Sequence, residues 1–295
     1  MSPTEIFQLV AAPVAYTLIV VEFLICTWEK KPYCSWRDSA VNLAMGYVGD
    51  ILRRAFFFAV PFQIINWICK AMPWKWEQNP WVWLMCFVVL DFLEYWDHRW
   101  AHENAFLWSF HSVHHSSTKY NFSTGSRQSW LVEVYRFIFF LPLAFMGFPL
   151  VTILGCRMIH RYLQLFQHTT YIGNLGVFEY IFASPSQHRV HHGINPQYIN
   201  KNYGNIFCFW DRLFKTYEPE VERVVYGPQT DIPETHFFLK IQFGGHLNFL
   251  RELKKARSWS ARWRYFWSTP GTPIESLEPH WEIFDPSQNL KESTK

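Results

Sequence analysis

Eight histidines fall in three short clusters whose spacing is typical of metal ligands. The clusters read HRWAH at 98–102, HSVHH at 111–115 and HRVHH at 188–192. On a helix, residues i and i+4 share a face and residue i+3 lies beside them, so each cluster should present its imidazoles together. Eight imidazoles exceed the three or four ligands of a single zinc site and suit two metal ions. The predicted metal ligands are His98, His102, His111, His114, His115, His188, His191 and His192.

The ligand set does not name the metal, because imidazole suits zinc, iron, copper and nickel alike. A structural metal and a zinc hydrolase therefore remain as alternatives. The chain has no compact HExxH motif, which disfavours the hydrolase. A metal pair in an apolar setting suits the oxidation of an unactivated C–H bond, so we predict an oxidoreductase.

Two carboxylates are candidates for acid–base groups near the metals. Two divalent ions bring four positive charges, which neutral imidazoles do not compensate. Glu94 lies four residues before His98 on the same helical face, and Glu103 directly follows His102. Each could handle protons or fix the tautomer of a ligating histidine. Solvated charges at a helix end are the alternative for both.

The rest of the sequence predicts an all-α, multi-pass membrane bundle. The chain is 49% hydrophobic and only 17% charged, against about 25% charged residues in soluble domains. Residues 6–27 are long enough to cross a hydrocarbon core of about 30 Å. Further apolar segments at 40–69, 81–103 and 130–168 bring the expected number of spanning or half-spanning helices to about four. Segment 81–103 ends on the first histidine cluster, which indicates metal ligands at its aqueous end.

The chain after about residue 170 is polar and rich in histidine, which predicts a helical cap over the metals. Basic residues after the first apolar segment favour the cytoplasmic side for this cap. We therefore predict three regions: an N-terminal transmembrane region (1–80), a catalytic domain (81–220) and a C-terminal cytoplasmic extension (221–295).

Composition excludes other classes of protein and of site. The net charge of +3, without a basic run interleaved with aromatic residues, excludes a nucleic-acid-binding surface. The six cysteines are scattered, which predicts free thiols and no disulfide framework.

Arg127 is predicted to pack in its loop or to meet a lipid phosphate, and Asp211 to pair with an arginine. Three further histidines are predicted not to be ligands, and a fourth, His160, stays open; the three are His236, His246 and His280.

The three motifs, in this order, resemble the fatty acid hydroxylase/sterol desaturase superfamily of membrane di-iron enzymes, and within it the alkylglycerol monooxygenase-like proteins. The segments that carry the resemblance are DFLEYWDHRWAHE (91–103), HSVHHSSTKYNFSTGSRQS (111–129), FQHT (166–169), SPSQHRVHHGINPQYINKNYGNIFCFWDRLFKTYEPE (184–220) and VVYG (224–227). The resemblance implies that the eight clustered histidines bind iron and adds His168 as a ninth ligand. It also matches Glu103 to an acidic residue that follows the first motif. One departure is Thr170, where the ether-lipid enzymes tend to have a glutamate.

The resemblance also implies an activity. Two ferrous ions would activate O2 and insert one oxygen atom into a C–H bond of a lipid, with electrons from a donor protein or a pterin outside the chain. In the alkylglycerol-like branch, hydroxylation beside the ether oxygen releases an aldehyde, and tetrahydrobiopterin is the reductant. Zinc can replace iron in purified samples because nitrogen-rich sites bind it more tightly. The implied location is the endoplasmic reticulum membrane or a bacterial inner membrane.

Two alternatives remain open for the function. The first is a hydroxylase or desaturase of fatty-acyl, sterol or other membrane lipids. The second is a non-catalytic, metal-binding membrane protein that carries or senses lipid.

Overall fold

Helices dominate the computed structural model, which describes residues 3–228 and 236–278, without the side chains of residues 3–10 and 12. Within these ranges there is no β-strand, and the extended contacts are two isolated bridge pairs, Phe182 with Phe207 and Gly193 with Tyr226. The α-helices of this part of the chain are α1 (Pro3–Trp28), α2 (Trp36–Ala59), α3 (Pro61–Ala71), α4 (Pro80–Glu103), α5 (Ala105–His111), α6 (Glu133–Arg136), α7 (Leu141–Phe145), α8 (Leu150–Leu165), α9 (Pro185–His191), α10 (Phe209–Leu213), α11 (Phe238–Lys255) and α12 (Trp259–Trp267). The all-α prediction is confirmed.

Helix α4 is the central element, because it packs against α5 and α8 and carries the first histidine cluster. Its start is fixed by Asn79, whose side-chain oxygen accepts from the backbone N–H groups of Trp81 and Val82 at 3.0 and 3.1 Å. The first half of α4 buries Cys86 and Leu90 in an apolar core. Helices α3, α7 and α8 complete that core with Ile65, Ile68, Leu143, Ala144, Ile153 and Cys156, together with Phe140 just before α7 and Phe148 between α7 and α8.

The apolar segments 40–69 and 130–168 are each divided between helices. In 40–69, α2 ends at Ala59 and α3 begins at Pro61, whose ring removes a backbone donor and prevents a continuous helix. In 130–168, the break falls at Gly147, which has φ +84°. A side chain there would also meet the carbonyl oxygen of Trp74 at 2.7 Å, so this turn requires glycine.

No helix among the residues whose placement is described is long and apolar enough to cross a membrane. The prediction of about four spanning or half-spanning helices is therefore not confirmed by these residues. Charged side chains interrupt the candidate segments: α2 contains Asp50, Arg53 and Arg54, and α8 contains Arg157 and Arg161.

The prediction of free thiols was wrong for one pair of cysteines. Cys26, near the end of α1, is disulfide-bonded to Cys34 in the turn that leads to α2, with Cα atoms 6.2 Å apart. The reversal of the chain between α1 and α2 brings the two thiols together, which the scattered spacing did not reveal. The other four are free thiols: Cys69, Cys86, Cys156 and Cys208.

The turn after the third histidine cluster is organised by a buried carboxylate. Asp211 accepts hydrogen bonds from the backbone N–H groups of Tyr203 and Gly204 and from the Thr216 hydroxyl, each at 2.7 Å. Asp211 therefore accepts from backbone groups, whereas the sequence analysis predicted a pair with an arginine. This turn matters for the metal site because the carbonyl of Tyr203 faces a histidine.

We expect Asp211→Ala to lower the free energy of unfolding by about 3 kcal/mol, because three buried donors would lose a charged acceptor. Denaturant unfolding of the detergent-solubilised chain measures this loss. Glu252→Ala is the control: its ion pair with the half-exposed Lys255 should contribute about 1 kcal/mol or less. Equal losses in the two variants would contradict the importance of the turn.

Candidate metal centre

The nine histidines singled out in the sequence lie in two adjoining groups. The first group consists of His98, His102, His111, His115 and His191, and the second of His114, His168, His188 and His192. Within each group, one side-chain nitrogen of every residue lies within 4.8 Å of the others. The groups are in contact, since the rings of His115 and His192 stack with centroids 4.2 Å apart. The arrangement matches two metal positions with five and four nitrogen ligands.

Four parts of the fold supply these imidazoles. The last two turns of α4 supply the first cluster, and the end of α5 with the 3-10 turn His114–Ser116 supplies the second. Helix α9 supplies the third, and the turn after α8 supplies His168. The N-terminus of α9 is fixed by Ser184, whose hydroxyl accepts from the backbone N–H of Gln187 at 3.3 Å.

The two groups do not follow the clusters of the sequence. In HSVHH, His111 and His115 belong to the first group and His114 to the second. The expectation that one cluster presents all its imidazoles together was therefore wrong. At 3.6 residues per turn, positions i and i+4 differ by about 40° around a helix, whereas i+3 and i+4 differ by about 100°. HRVHH behaves the same way: His188 and His192 share a group, and His191 joins the other.

The spacing between ring nitrogens fits ligands of a shared ion. Nε2 of His115 lies 3.1 Å from Nε2 of His111 and of His191. In the second group, Nε2 of His168 lies 3.2 Å from that of His114 and 3.0 Å from that of His188. Two nitrogens bound to one ion at about 2.1 Å lie about 3.0 Å apart at a right angle and about 3.4 Å apart at the tetrahedral angle. The residues present therefore fit a metal in each group.

Buried nitrogens without a hydrogen-bond partner support the same conclusion. Both ring nitrogens of His102 are buried without a partner among the described residues, as is Nε2 of His192. Unsatisfied buried polar atoms are rare in folded proteins and often mark an ion site. A metal at each group would bind one nitrogen of each of these rings, and the other nitrogen of a neutral ring carries the proton.

Backbone carbonyls orient four of the nine rings. Nδ1–H of His98 donates to Tyr203 O at 2.9 Å, and Nδ1–H of His191 donates to Lys201 O at 3.0 Å. His114 and His168 donate in the same way to the carbonyls of residues 127 and 164, at 3.1 and 3.0 Å. A carbonyl only accepts, so Nδ1 carries the proton and Nε2 is left for a metal.

Burial keeps these imidazoles neutral, as metal ligation requires. Desolvation lowers the pKa of His191 to about 4. Desolvation also lowers the pKa of five other histidines well below the usual value for imidazole. They are His111, His114, His115, His188 and His192. Neighbouring imidazoles add to this effect, because a positive charge on one ring disfavours protonation of the next.

The two candidate carboxylates lie in different surroundings. Glu94 is buried, and its Oε2 accepts from Gln164 Nε2 at 2.8 Å and faces His160 Nδ1 at 3.2 Å. Glu103 is paired with Arg99 at 3.0 Å, and its side chain is 37% exposed. Neither makes a hydrogen bond to one of the nine imidazoles in the described residues, where carbonyls occupy the positions predicted for carboxylates. Glu94, unlike Glu103, lines the cavity described next.

A cavity of about 430 Å³ extends from the imidazoles between α1, α2 and α8, within the size range of small-molecule sites. Apolar side chains form much of its wall: Ala15, Ile19, Leu43, Phe57, Phe58, Val132, Leu154, Met158 and Leu165. Its inner end includes His98, His111, His114, His168 and His188. The shape suits an apolar chain with one end at the imidazoles.

Sequence reasoning had left other polar residues open or outside the site. Arg127 is buried and donates to Asp38 at 3.1 Å and Asn42 at 2.9 Å, so it packs in its loop and does not line the cavity. His160 is buried beside Glu94 but belongs to neither group. His246 lies 2.9 Å from the Ser109 hydroxyl, outside both groups. His236 is exposed, and His280 lies outside the described residues.

One buried carboxylate near the site was missed. Glu22 of α1 accepts from the hydroxyl of Thr169 and from the backbone N–H of Phe122, each at 2.5 Å. Thr169 directly follows His168, so Glu22 brings a carboxylate close to Thr170, the position where the resemblance to the ether-lipid enzymes led us to expect a glutamate. The only signal in the sequence was an isolated acid in an apolar segment.

Known proteins share this domain. The family model for fatty acid hydroxylases matches residues 83–216. Alkylglycerol monooxygenase of Homo sapiens is 36% identical over 268 residues, or 88% of this chain and 56% of that protein. The Xenopus tropicalis protein of that name is 34% identical over 262 residues, covering 87% and 54%. Ornithine lipid hydroxylase OlsE of Rhizobium tropici is 28% identical over 207 residues, covering 65% and 60%.

This chain spans about half the length of the alkylglycerol monooxygenases that it matches. No solved structure shows significant similarity to it.

We expect His115→Ala and His188→Ala, one from each group, to lower the bound metal from two ions per chain toward one. Loss of a ligand should weaken binding by more than the roughly tenfold to hundredfold that follows from loss of an orienting partner. Mass-spectrometric metal analysis after dialysis against a chelator measures the stoichiometry. His246→Ala is the matched control and should retain both ions. Full metal content in the two ligand variants would contradict the assignment of these groups.

Proposed function

We propose that this chain, which carries a fatty acid hydroxylase domain over residues 83–216 and resembles the alkylglycerol monooxygenases, is a di-iron lipid monooxygenase. The histidine motifs predicted both the domain and the resemblance. The leading reaction is hydroxylation of a lipid C–H bond beside an ether oxygen, which cleaves an O-alkylglycerol. The observation that carries the proposal is the pair of imidazole groups at the end of a cavity that is lined by apolar as well as charged side chains.

The proposed cofactors are two iron ions, with His98, His102, His111, His115 and His191 around one and His114, His168, His188 and His192 around the other. When bound, ferrous ions would supply the reduction of O2 and the insertion of oxygen into a C–H bond. Electrons would come from outside the chain, through tetrahydrobiopterin or a donor protein.

The chain's own residues would orient the site and exclude water. The Nδ1–H bonds to backbone carbonyls fix the rings of His98, His114, His168 and His191 before substrate arrives. The apolar wall holds the hydrocarbon chain and keeps bulk water from the reacting carbon. Such preorganisation avoids reorienting the ligands during the reaction.

Glu94 is the proposed acid–base residue. Its Oε2 is engaged by Gln164 and His160, which leaves Oε1 as the atom to accept or donate a proton at the cavity wall. Buried carboxylates in such positions typically contribute a factor of about 10²–10⁴ to the rate.

A membrane location is part of the proposal. Large apolar side chains are exposed on α1 and α2, among them Trp28, Trp36, Tyr47 and Phe58, and extended exposed apolar surface marks membrane or protein contacts. The cavity runs between these two helices and α8. The endoplasmic reticulum membrane or a bacterial inner membrane, with the metals on the cytoplasmic side, fits the distribution of basic residues. The proposed division into regions 1–80, 81–220 and 221–295 follows the same arrangement.

We expect the iron-loaded protein, given an O-alkylglycerol, O2 and tetrahydrobiopterin, to release a fatty aldehyde. The aldehyde can be trapped as its hydrazone and quantified, and O2 consumption measured in parallel. His115→Ala should lose at least about a hundredfold in rate, since the reaction needs both ions. His246→Ala should keep the wild-type rate.

Other products would select the alternatives. If a hydroxylated or desaturated acyl or sterol lipid forms without aldehyde, the broader lipid oxidation replaces ether cleavage as the proposed reaction. No O2 consumption with any lipid, at full iron content, would leave a non-catalytic lipid-binding protein and end the oxygenase proposal.

The two carboxylates can be separated by matched amide variants. We expect Glu94→Gln to lower kcat by about 10²-fold or more with both metals still bound, because the proton-transfer group is removed. Glu103→Gln should change kcat by less than about threefold, because its carboxylate pairs with Arg99 away from the cavity. Metal analysis of the same samples excludes loss of ligands as the cause. The opposite pattern would assign the acid–base role to Glu103.

A further inference from the structure

The wall of the cavity carries more guanidinium groups than carboxylates. The lining cations are Arg53, Arg54, Arg136, Arg157 and Arg161, and the lining anions are Asp50, Glu94 and Glu133. An apolar cavity with an excess of fixed positive charge favours a ligand that combines a hydrocarbon part with an anionic group.

The two exposed arginines share one carboxylate. Arg54 and Arg161 lie 2.7 and 2.8 Å from Asp50, and about 60% of each arginine side chain is exposed. One carboxylate between two guanidinium groups leaves a net positive charge at this part of the wall.

The deeper arginines have separate partners. Arg157 is paired with Glu133, and Arg136 with Asp97 at 2.7 Å. The two charges within each pair neutralise each other, so these pairs do not account for the excess positive charge.

Arg53 is the arginine left without a counter-ion. It is 6% exposed, and its guanidinium makes one long hydrogen bond, from Nη1 to Ser129 O at 3.4 Å. No carboxylate of the described residues pairs with it. The absence of a side chain at Gly49 makes room for the group, since a Cβ there would lie 2.5 Å from Nη1. Asp50 and Glu133 attract it only from beyond ion-pair distance, and a buried cation without a direct partner is costly, so the site favours an anion.

The helix geometry places Arg53 at a defined distance from the metal groups. Gly46 of α2 packs against Ser126, and the neighbouring Gly125 packs against the His168 ring. Gly46 therefore marks the level of the imidazoles. The Arg53 guanidinium lies beside Gly49, three residues farther along α2, which at 1.5 Å per residue is about 4.5 Å along the helix axis.

We propose that Arg53 binds the anionic group, a phosphate or a carboxylate, of an amphiphilic substrate whose hydrocarbon part reaches the imidazoles. This assignment rests on the proposed lipid-oxidising function and narrows its substrate to anionic lipids over neutral ones.

Equilibrium binding to the full chain in detergent tests the assignment. The ligands are 1-O-hexadecylglycerol, its 3-phosphate ester, hexadecanol, hexadecanoate and inorganic phosphate, each measured on zinc-loaded protein so that no turnover is needed. The wild-type protein should bind the phosphate ester at least about tenfold more tightly than the neutral lipid, as expected for charge-assisted hydrogen bonds. Hexadecanoate should likewise bind more tightly than hexadecanol.

Matched variants identify the residue. Arg53→Gln should remove the preference for the charged lipids, and Arg53→Lys should retain most of it. Arg251→Gln, which removes an exposed arginine of α11 outside the cavity, should bind like the wild type. If Arg53→Gln does not fold, equal affinity of the wild-type protein for the neutral and charged lipids still overturns the proposal, and a preference kept in Arg53→Lys supports it.

Three results would overturn the proposal: equal affinity for the neutral and phosphorylated lipids, a preference that persists in Arg53→Gln, or inorganic phosphate bound as tightly as the ester. Turnover is recorded separately with iron-loaded protein. Retained binding preference without lipid oxidation would reject the proposed function and leave the Arg53 site standing. Oxidation of neutral lipids alone, without the binding preference, would reject the Arg53 site and leave the proposed function standing.

Discussion

Nine imidazoles must be kept neutral and directed at two points inside a buried part of the protein, and the surrounding structure follows from that constraint. Burial removes the water that would stabilise a protonated ring, which lowers the pKa of the imidazoles. The same burial makes every unused ring nitrogen costly. Backbone carbonyls satisfy Nδ1 where the chain passes close enough, and the opposing Nε2 atoms are left facing one another at about 3 Å.

Acidic residues near the site hold backbone in place and are absent from the two imidazole groups of the described chain. Asp91 of α4 accepts from the backbone N–H groups of Ile206 and Phe207 at 2.9 and 3.2 Å, and Asp211 holds the adjacent turn. The carbonyl of Tyr203, positioned by this turn, orients His98. Charge and geometry are thus divided: imidazoles face the metal positions, while carboxylates order the loops that aim them.

The sequence predicted the site residues well because metal ligation requires rare residue types at short, regular spacings. It could not predict how His114 and His191 cross between groups, since that depends on the helical angle and on how α5 and α9 face each other. The orienting carbonyls were also beyond reach, because every residue has one. The contact of Glu22 with Thr169 joins residues 147 positions apart, and spacing along the chain carries no record of it. The Cys26–Cys34 bond is local but depends on the chain reversal between α1 and α2, which the spacing of the cysteines does not show.

The position of Arg53 connects the cavity to the outer surface of α1 and α2. Tyr16, Tyr47 and Phe58 line the cavity and are also more than half exposed, so the cavity opens where large aromatic side chains meet the surroundings. A lipid entering there would pass its apolar part along an apolar wall toward the imidazoles. An unpaired, buried guanidinium on that path is costly for a purely hydrocarbon ligand and favourable for one that carries a negative charge. The same residue would therefore set both which lipids enter and how far their chains extend toward the metals.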